Sequence, residues 1–299
     1  MHILVTGSSG FIGTNLTIAL KKLGHKVTGL DIKHSPLHDI SNYQTLKSLT
    51  TKPSTIVHLA ALTGVLQSVQ YPVQTFKSNI LGTFSLLEYA RKNSIKNFIF
   101  ISSCSILSPT TTPYSASKLI GERLCATYSD TYSINIDILR LTNIFGPFSA
   151  HKTSVIPKFI KQILSNQPMT VRGDGSQSRS FVYVSDVVDS ITHYISNPSR
   201  YKIHTIAGEQ KTILNLVDEL ILAFPRVPEV KFVSEENEPK SIEVISSIKP
   251  KVDFRSGINK TLRWFMDYQY ERKTSLTSDP DVDWYVNPRT ASFAGRQNS

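Results

Sequence analysis

Cysteine is scarce in this chain and long apolar runs are missing, and each shortage removes a class of protein. Only Cys104 and Cys125 occur among 299 residues, without a CxxC pair or histidines at metal-ligand spacing. Neither a disulfide framework nor a zinc site is expected, and both thiols are read as reduced. No stretch approaches the roughly 20 consecutive apolar residues of a membrane helix, and the apolar run at 3–5 is far too short for a secretory signal. A cytoplasmic location without a membrane partner is therefore expected. Basic charge is plentiful, at a formal net +10, but no basic block with interleaved aromatics occurs. The scattered lysines and arginines read as a solvated surface and predict no nucleic-acid partner.

What is present alternates. Short β-branched, apolar runs at 27–30, 55–59, 97–101 and 136–141 are separated by segments of helical period at 11–23, 73–91 and 115–128. Such alternation predicts an α/β fold with a doubly wound parallel sheet. In the first helix Ile12, Leu16, Ala19, Leu20 and Leu23 share a face, and Gly24 stops it. After Gly146-Pro147 the rhythm changes to helices at 155–164, 213–224 and 258–267 between proline-rich, polar connections. The expected organisation is a nucleotide-binding domain over 1–150, a smaller lobe over 151–270, and a polar tail over 271–299 that holds Trp284 and Tyr285. Strands at 180–183 and 202–206 are expected to return to the main sheet.

The chain opens MHILVTGSSGFIG, an apolar run followed by Gly7, Gly10 and Gly13. A strand ending in a tight turn into a helix is predicted there, with exposed N–H groups and a partial positive charge suited to a pyrophosphate. Gly7 permits the turn, Gly10 lets backbone approach phosphate, and Gly13 lets the helix sit close. The second strand ends in Asp31, placed to accept from a ribose diol and to repel a 2′-phosphate. That favours NAD over NADP, although Lys33 and His34 stand beside it. Further on, Tyr114-Ser115-Ala116-Ser117-Lys118 puts a phenol and an ammonium on one helical face. The lysine's charge is expected to lower the phenol's pKa so that it can take a proton from a hydroxyl. An apolar strand at 98–101 runs into Ser102 and Ser103 at the sheet's carboxyl edge, where ligands bind.

The glycine spacing resembles the short-chain dehydrogenase/reductase superfamily, specifically its extended branch acting on nucleotide sugars, and the resemblance covers residues 1–267. It implies a Rossmann-type sheet with a smaller C-terminal α/β lobe, NAD as cofactor, and Ser103, Tyr114 and Lys118 as the catalytic set. Ser103 would hold the reacting oxygen, while Ser102 faces the other way. Cofactor contacts are implied at Gly7, Gly10, Phe11, Ile12, Gly13 and Asp31, at Asp39 and Ile40 beside adenine, and at Leu59, Ala60 and Ala61 behind His58. Asn79, in "NILGT", would support the cofactor side, and Tyr114 and Lys118 would also touch the cofactor. For the substrate, residues 140–147 are similar to the family's RxxNxYGP loop and imply Asn143 at the diphosphate. "VIPKFI" from Val155 resembles the segment that packs on the nucleotide. "GDGSQSRSFVYVSDVV" from Gly173 implies that Arg179 grips the diphosphate in a fork. A homodimer through the helices at 73–91 and 115–128 is implied as well.

Three departures bear on the reaction. Tyr114 follows Ser103 by only eleven residues, so the family's longer loop is trimmed. Cys104 and Ser105 stand where the dehydratases carry an Asp-Glu pair and the decarboxylases a Glu. Ser180 replaces the aspartate of the family's RDF triplet, and His204-Thr205-Ile206 replaces its later Asn-Ile-Gly. Elimination then lacks its acid and base, which favours simple epimerisation or reduction, and the first expectation is an NAD-dependent 4-epimerase of a UDP-sugar. The alternatives are a net reductase resembling the GDP-fucose synthases, with Cys104 as acid/base candidate, and a dinucleotide-binding regulatory protein without chemistry.

Overall fold

The computed structural model describes residues 1–49, 52–224, 227–234 and 243–274. The elements run β1 (His2–Thr6), α1 (Phe11–Lys22), β2 (Lys26–Leu30), α2 (Tyr43–Lys47), β3 (Thr55–His58), α3 (Val65–Gln70), α4 (Pro72–Phe76), α5 (Gly82–Lys92), β4 (Asn97–Ser103), α6 (Pro113–Tyr132) and β5 (Asn135–Leu141). They continue as β6 (Asn143–Phe145), α7 (Val155–Leu164), β7 (Met169–Arg172), β8 (Ser178–Tyr183), α8 (Val184–Ser196), β9 (Tyr201–Ile206), β10 (Glu209–Thr212), α9 (Ile213–Ala223), β11 (Val230–Val233) and α10 (Phe254–Thr274).

Six parallel strands form the central sheet in the order β2-β1-β3-β4-β5-β9. Because successive residues of a strand face opposite ways, an apolar run fills both faces at once. Ile3, Val5, Val57, Ile99 and Leu139 pack with Leu16 and Leu20 of α1 and Val187 and Ile191 of α8. Leu4, Ile56, Phe98, Phe100, Ile136 and Ile138 pack with Leu86 and Leu87 of α5 and with Cys125 and Tyr128 of α6. From β1 the chain moves to β2 on one side and then to β3 on the other. That reversal opens a crevice at the carboxyl ends of β1 and β3, the general place for a ligand in such sheets.

The structure corrects three expectations. Of the two strands expected to return to the main sheet, β9 does so, but β8 lies instead between β6 and β10 in a separate three-stranded sheet. There Phe181 joins Phe145 and Phe254 in an aromatic cluster continuous with the core on one face of the central sheet. The single helix expected over 73–91 is α4 and α5 joined by a π-helical turn, Lys77–Leu81. At the end of the chain α10 continues to Thr274, past the expected start of the tail; the remainder of that tail, with Trp284 and Tyr285, lies outside the described residues.

Candidate active site at the carboxyl edge of the sheet

Gly7 ends β1 at φ +69°, and its N–H donates to Leu30 O across the sheet (2.8 Å). A β-carbon on Gly7 would lie 2.8 Å from the Ala60 nitrogen, and one on Gly13 would overlap the Gly7 carbonyl oxygen. The first glycine thus seats the turn against the loop behind β3, and the third seats α1 against the turn. Gly10 is the N-cap of α1, with no side-chain cap and no acidic residue in the first turn. A helix start so arranged leaves N–H groups and positive dipole for an anion. The Phe11 side chain is buried in the core and that of Ile12 packs against it, so both offer the cleft their backbone.

Asp31 is buried rather than solvated. Its Oδ2 accepts from Ser9 N in the glycine turn (2.9 Å) and its Oδ1 from Lys33 N (3.0 Å). The carboxylate is thereby fixed at the rim of the crevice with acceptor capacity left for a diol. Asp39 Oδ1 accepts from both Ser41 N (2.9 Å) and Ser41 Oγ (2.7 Å), while Ile40 is buried against Gly82.

The opposite wall is Leu59, Ala60 and Ala61. Leu59 N donates to Thr6 O (3.2 Å) and Ala60 N to Thr6 Oγ1 (3.3 Å). Beneath it, Thr83 Oγ1 donates to Asn79 O (2.6 Å), which leaves it to accept from His58 Nε2 (2.9 Å). His58 Nδ1 must then accept from Thr6 Oγ1 (2.8 Å), which is the pattern of a neutral ring. Burial, helped by the nearby Lys118 charge, pushes His58 down to about 3. Asn79 sits in the π-helical turn, a distortion that recurs at functional sites. Its amide donates to Leu62 O and to Ser117 Oγ (both 3.0 Å) and accepts from Leu62 N (2.8 Å). Asn79 therefore braces the wall to α6 with both amide hydrogens in use.

Thr112 caps α6 in a capping box with Ser115, which fixes the first turn and with it Tyr114. The half-buried Tyr114 is hydrogen-bonded to Ser103, and Ser103 Oγ accepts from Ser105 N (3.1 Å). Lys118, one turn on, is buried and donates to Ile101 O (2.7 Å). The lowering of the phenol expected from the sequence is not what this arrangement produces. Burial pushes Tyr114 up, opposed by the Ser103 hydrogen bond, and burial pushes Lys118 down to about 8.

Sequence reasoning passed over Glu122, the next residue of the Tyr114–Lys118 face at the same four-residue spacing. Its buried carboxylate accepts from Ser102 Oγ (2.6 Å) and receives the Arg140 guanidinium in a fork, at 2.9 Å from Nε and 2.7 Å from Nη2. One side chain thus ties β4, β5 and α6 together one turn beyond Lys118. The i, i+4, i+8 spacing was the available signal. Cys104, between Ser103 and this cluster, is a buried free thiol that burial raises to about 11.

On the substrate side, Asn143 is exposed at the start of β6 and donates to Ser180 O (3.2 Å). Asn143 pairs with Phe181 in register, two residues beyond Arg179 on β8, so the structure brings the two expected diphosphate contacts to one small sheet. Arg179 Nη1 donates to Ser178 O (2.8 Å). Ser180, in place of an aspartate, exchanges hydrogen bonds with Gly208, accepting from its N–H (3.1 Å) and donating to its carbonyl (3.2 Å); its role here is packing. Val155 opens α7, half-buried.

The family described as "NAD dependent epimerase/dehydratase family" matches residues 3–207. A UDP-glucuronate 4-epimerase from Thermodesulfobacterium geofontis is 27% identical over 88% of this chain and 95% of its own length. UDP-glucuronic acid decarboxylase 1 from Danio rerio is 26% identical over 88% of this chain and 72% of its own. Among solved structures, the Thermus thermophilus UDP-glucose 4-epimerase in complex with NAD superposes with a TM-score of 0.82 at 25% identity, covering 89% of this chain and 99% of that one.

Proposed function

Because the chain belongs to the NAD-dependent epimerase/dehydratase family, we propose that it epimerises C4 of a UDP-sugar through a transient 4-keto intermediate. The observation that carries this reading is the Ser103–Tyr114 hydrogen bond in a stretch, 104–113, that contains no carboxylate. Dehydration and decarboxylation need an additional acid or base beside the strand-end hydroxyl. Here Cys104 is a thiol that keeps its proton at neutral pH, and Ser105 Oγ is buried with no hydrogen-bond partner among the described residues.

NAD, when bound, supplies the hydride acceptor and donor. Ser103 holds the sugar's 4-oxygen and Tyr114 takes its proton, later returning it after the 4-keto sugar has turned over. Since burial keeps the proton on the phenol, ionisation depends on positive charge brought alongside, and Lys118 is this chain's own source of it. Asn143 and Arg179 anchor the diphosphate, with Val155 against the nucleotide.

The enzyme is further proposed to be a cytoplasmic homodimer. Its free thiols suit a reducing compartment, and among the described residues no helix is long and apolar enough to cross a membrane. Leu66, Phe84, Leu119 and Ile120 are 74, 42, 45 and 40% exposed on α3, α5 and α6, of which α3 and α5 each pack against α6. Apolar exposure across adjoining helices marks an association face. In light scattering the wild type is expected at twice the chain mass of 33.4 kDa and Ile120→Glu at the single mass; a monomeric wild type would refute the dimer.

Proton NMR of the anomeric region, with NAD and a panel of UDP-, dTDP- and GDP-sugars, tests the reaction. The expected result is one final ratio reached from either 4-epimer without net NADH. Stoichiometric consumption of reduced cofactor would make the protein a reductase instead, and silence with every sugar would leave it a binding protein.

A further inference from the structure

The loop at 147–152 crosses the mouth of the glycine cleft and is fastened to both of its walls. At one end Pro147 O accepts from Asn15 Nδ2 (3.0 Å), and the same amide donates to Phe11 O (2.9 Å) in the first turn of α1. At the other end Lys152 Nζ donates to Thr63 Oγ1 (3.0 Å), just beyond Ala60 and Ala61 on the opposite wall. Between them Phe148 adopts φ +65° with its ring centroid 5.3 Å from that of Trp264, a conformation that a bulky residue keeps only where its surroundings hold it. From α7, Lys161 Nζ donates to Ala150 O (3.0 Å) and Lys152 O (2.9 Å).

This loop also concentrates positive charge. Burial and the charges of Lys152, Lys33 and Lys161 push His151 down to about 4, and burial with Lys33 lowers Lys152. His151 is therefore neutral at pH 7 and the charge belongs to the lysines. They come from three elements, and Lys33, two residues beyond Asp31, acts on both His151 and Lys152. Positive groups brought together beside a helix N-terminus favour an anion between them.

We propose that Lys152 binds the pyrophosphate of the dinucleotide, and that the 147–152 loop is a strap retaining the cofactor between turnovers. The inference rests on a dinucleotide occupying the glycine cleft. An ammonium has three donors, and Thr63 takes one of them.

Titration calorimetry of the full chain with NAD, NADP, ADP-ribose, adenosine and UDP tests it. Lys152→Ala is expected to weaken NAD and ADP-ribose by about tenfold or more while leaving adenosine and UDP unchanged. The wild-type NAD affinity is expected to fall more steeply with salt than the variant's. Lys152→Met, which keeps the aliphatic stem, is expected to behave the same way at an unchanged melting temperature. Thr63→Val, which removes the resting partner but leaves the ammonium, is expected to bind NAD no more weakly than wild type. Unchanged NAD affinity in both Lys152 variants would overturn the proposal. So would a loss confined to UDP, which would give the lysine to the substrate, or a wild-type preference for NADP, which would give it to a 2′-phosphate. A wild type that binds no dinucleotide would remove the premise itself.

Discussion

Tyr114→Phe is expected to lower kcat by about 10²- to 10⁴-fold with little change in NAD affinity or melting temperature. The substitution deletes one oxygen. Ser103 Oγ keeps its hydrogen bond from Ser105 N, and the ring keeps its place on an α6 start that the Thr112–Ser115 capping box fixes independently. What disappears is the group proposed to move the proton at the 4-hydroxyl. The variant should still bind the sugar and retain cofactor, which separates a chemical defect from a binding one. Single-turnover measurements with bound NAD would decide it: if substantial turnover persists, Tyr114 is not the base and the epimerase assignment falls with it.

Gly13→Ala should abolish cofactor binding and cost stability together. The new methyl would overlap the Gly7 carbonyl oxygen, and that oxygen has little room to retreat. Gly7 is tied to Leu30 O on one side and abuts the Ala60 nitrogen on the other. Relief has to come from α1, which carries Leu16 and Leu20 into the core. Overpacking of this kind costs about 1–3 kcal/mol, and displacing α1 would spoil the N–H array proposed to seat the pyrophosphate. Gly24→Ala is the matched control: its position has φ +78° but open space around the added carbon, so only the milder conformational penalty of roughly 1 kcal/mol applies. Thermal melts and NAD titrations of both variants would test the contrast. Wild-type NAD affinity in Gly13→Ala would mean that the cofactor does not sit on this turn.

Much of this architecture was legible in the amino-acid order because it depends on local rules. The helix over 155–164 was readable to the residue, since its apolar period and flanking polar residues agree. The glycine turn and the place of Asp31 just beyond β2 were readable because backbone sterics and strand patterning leave few alternatives. The π-helical turn was not, because one residue of slack leaves no mark in composition; it shows only once Asn79 has Leu62 and Ser117 to bond. Nor was the sheet that β8 would join. That choice depends on Gly208, whose lack of a side chain admits the Phe181 carbonyl, a contact between residues far apart in the chain. Tyr114 shows the same limit in electrostatics. Its spacing to Lys118 was visible, but the desolvation that outweighs the Ser103 hydrogen bond is a property of the folded surroundings.

The outermost strand on one side of the central sheet, β9, is separated from its neighbour β5 by β6 through α8. On a ribosome, therefore, the five earlier strands can emerge and pair while the β5 edge is still bare. At a synthesis rate of about 5–20 residues per second, the interval before Tyr201–Ile206 follows is several seconds. Ile136, Ile138 and Leu141 spend that interval on an open border of the sheet. Nascent-chain quality control, rather than catalysis, is where a delay in adding this last strand would first be felt.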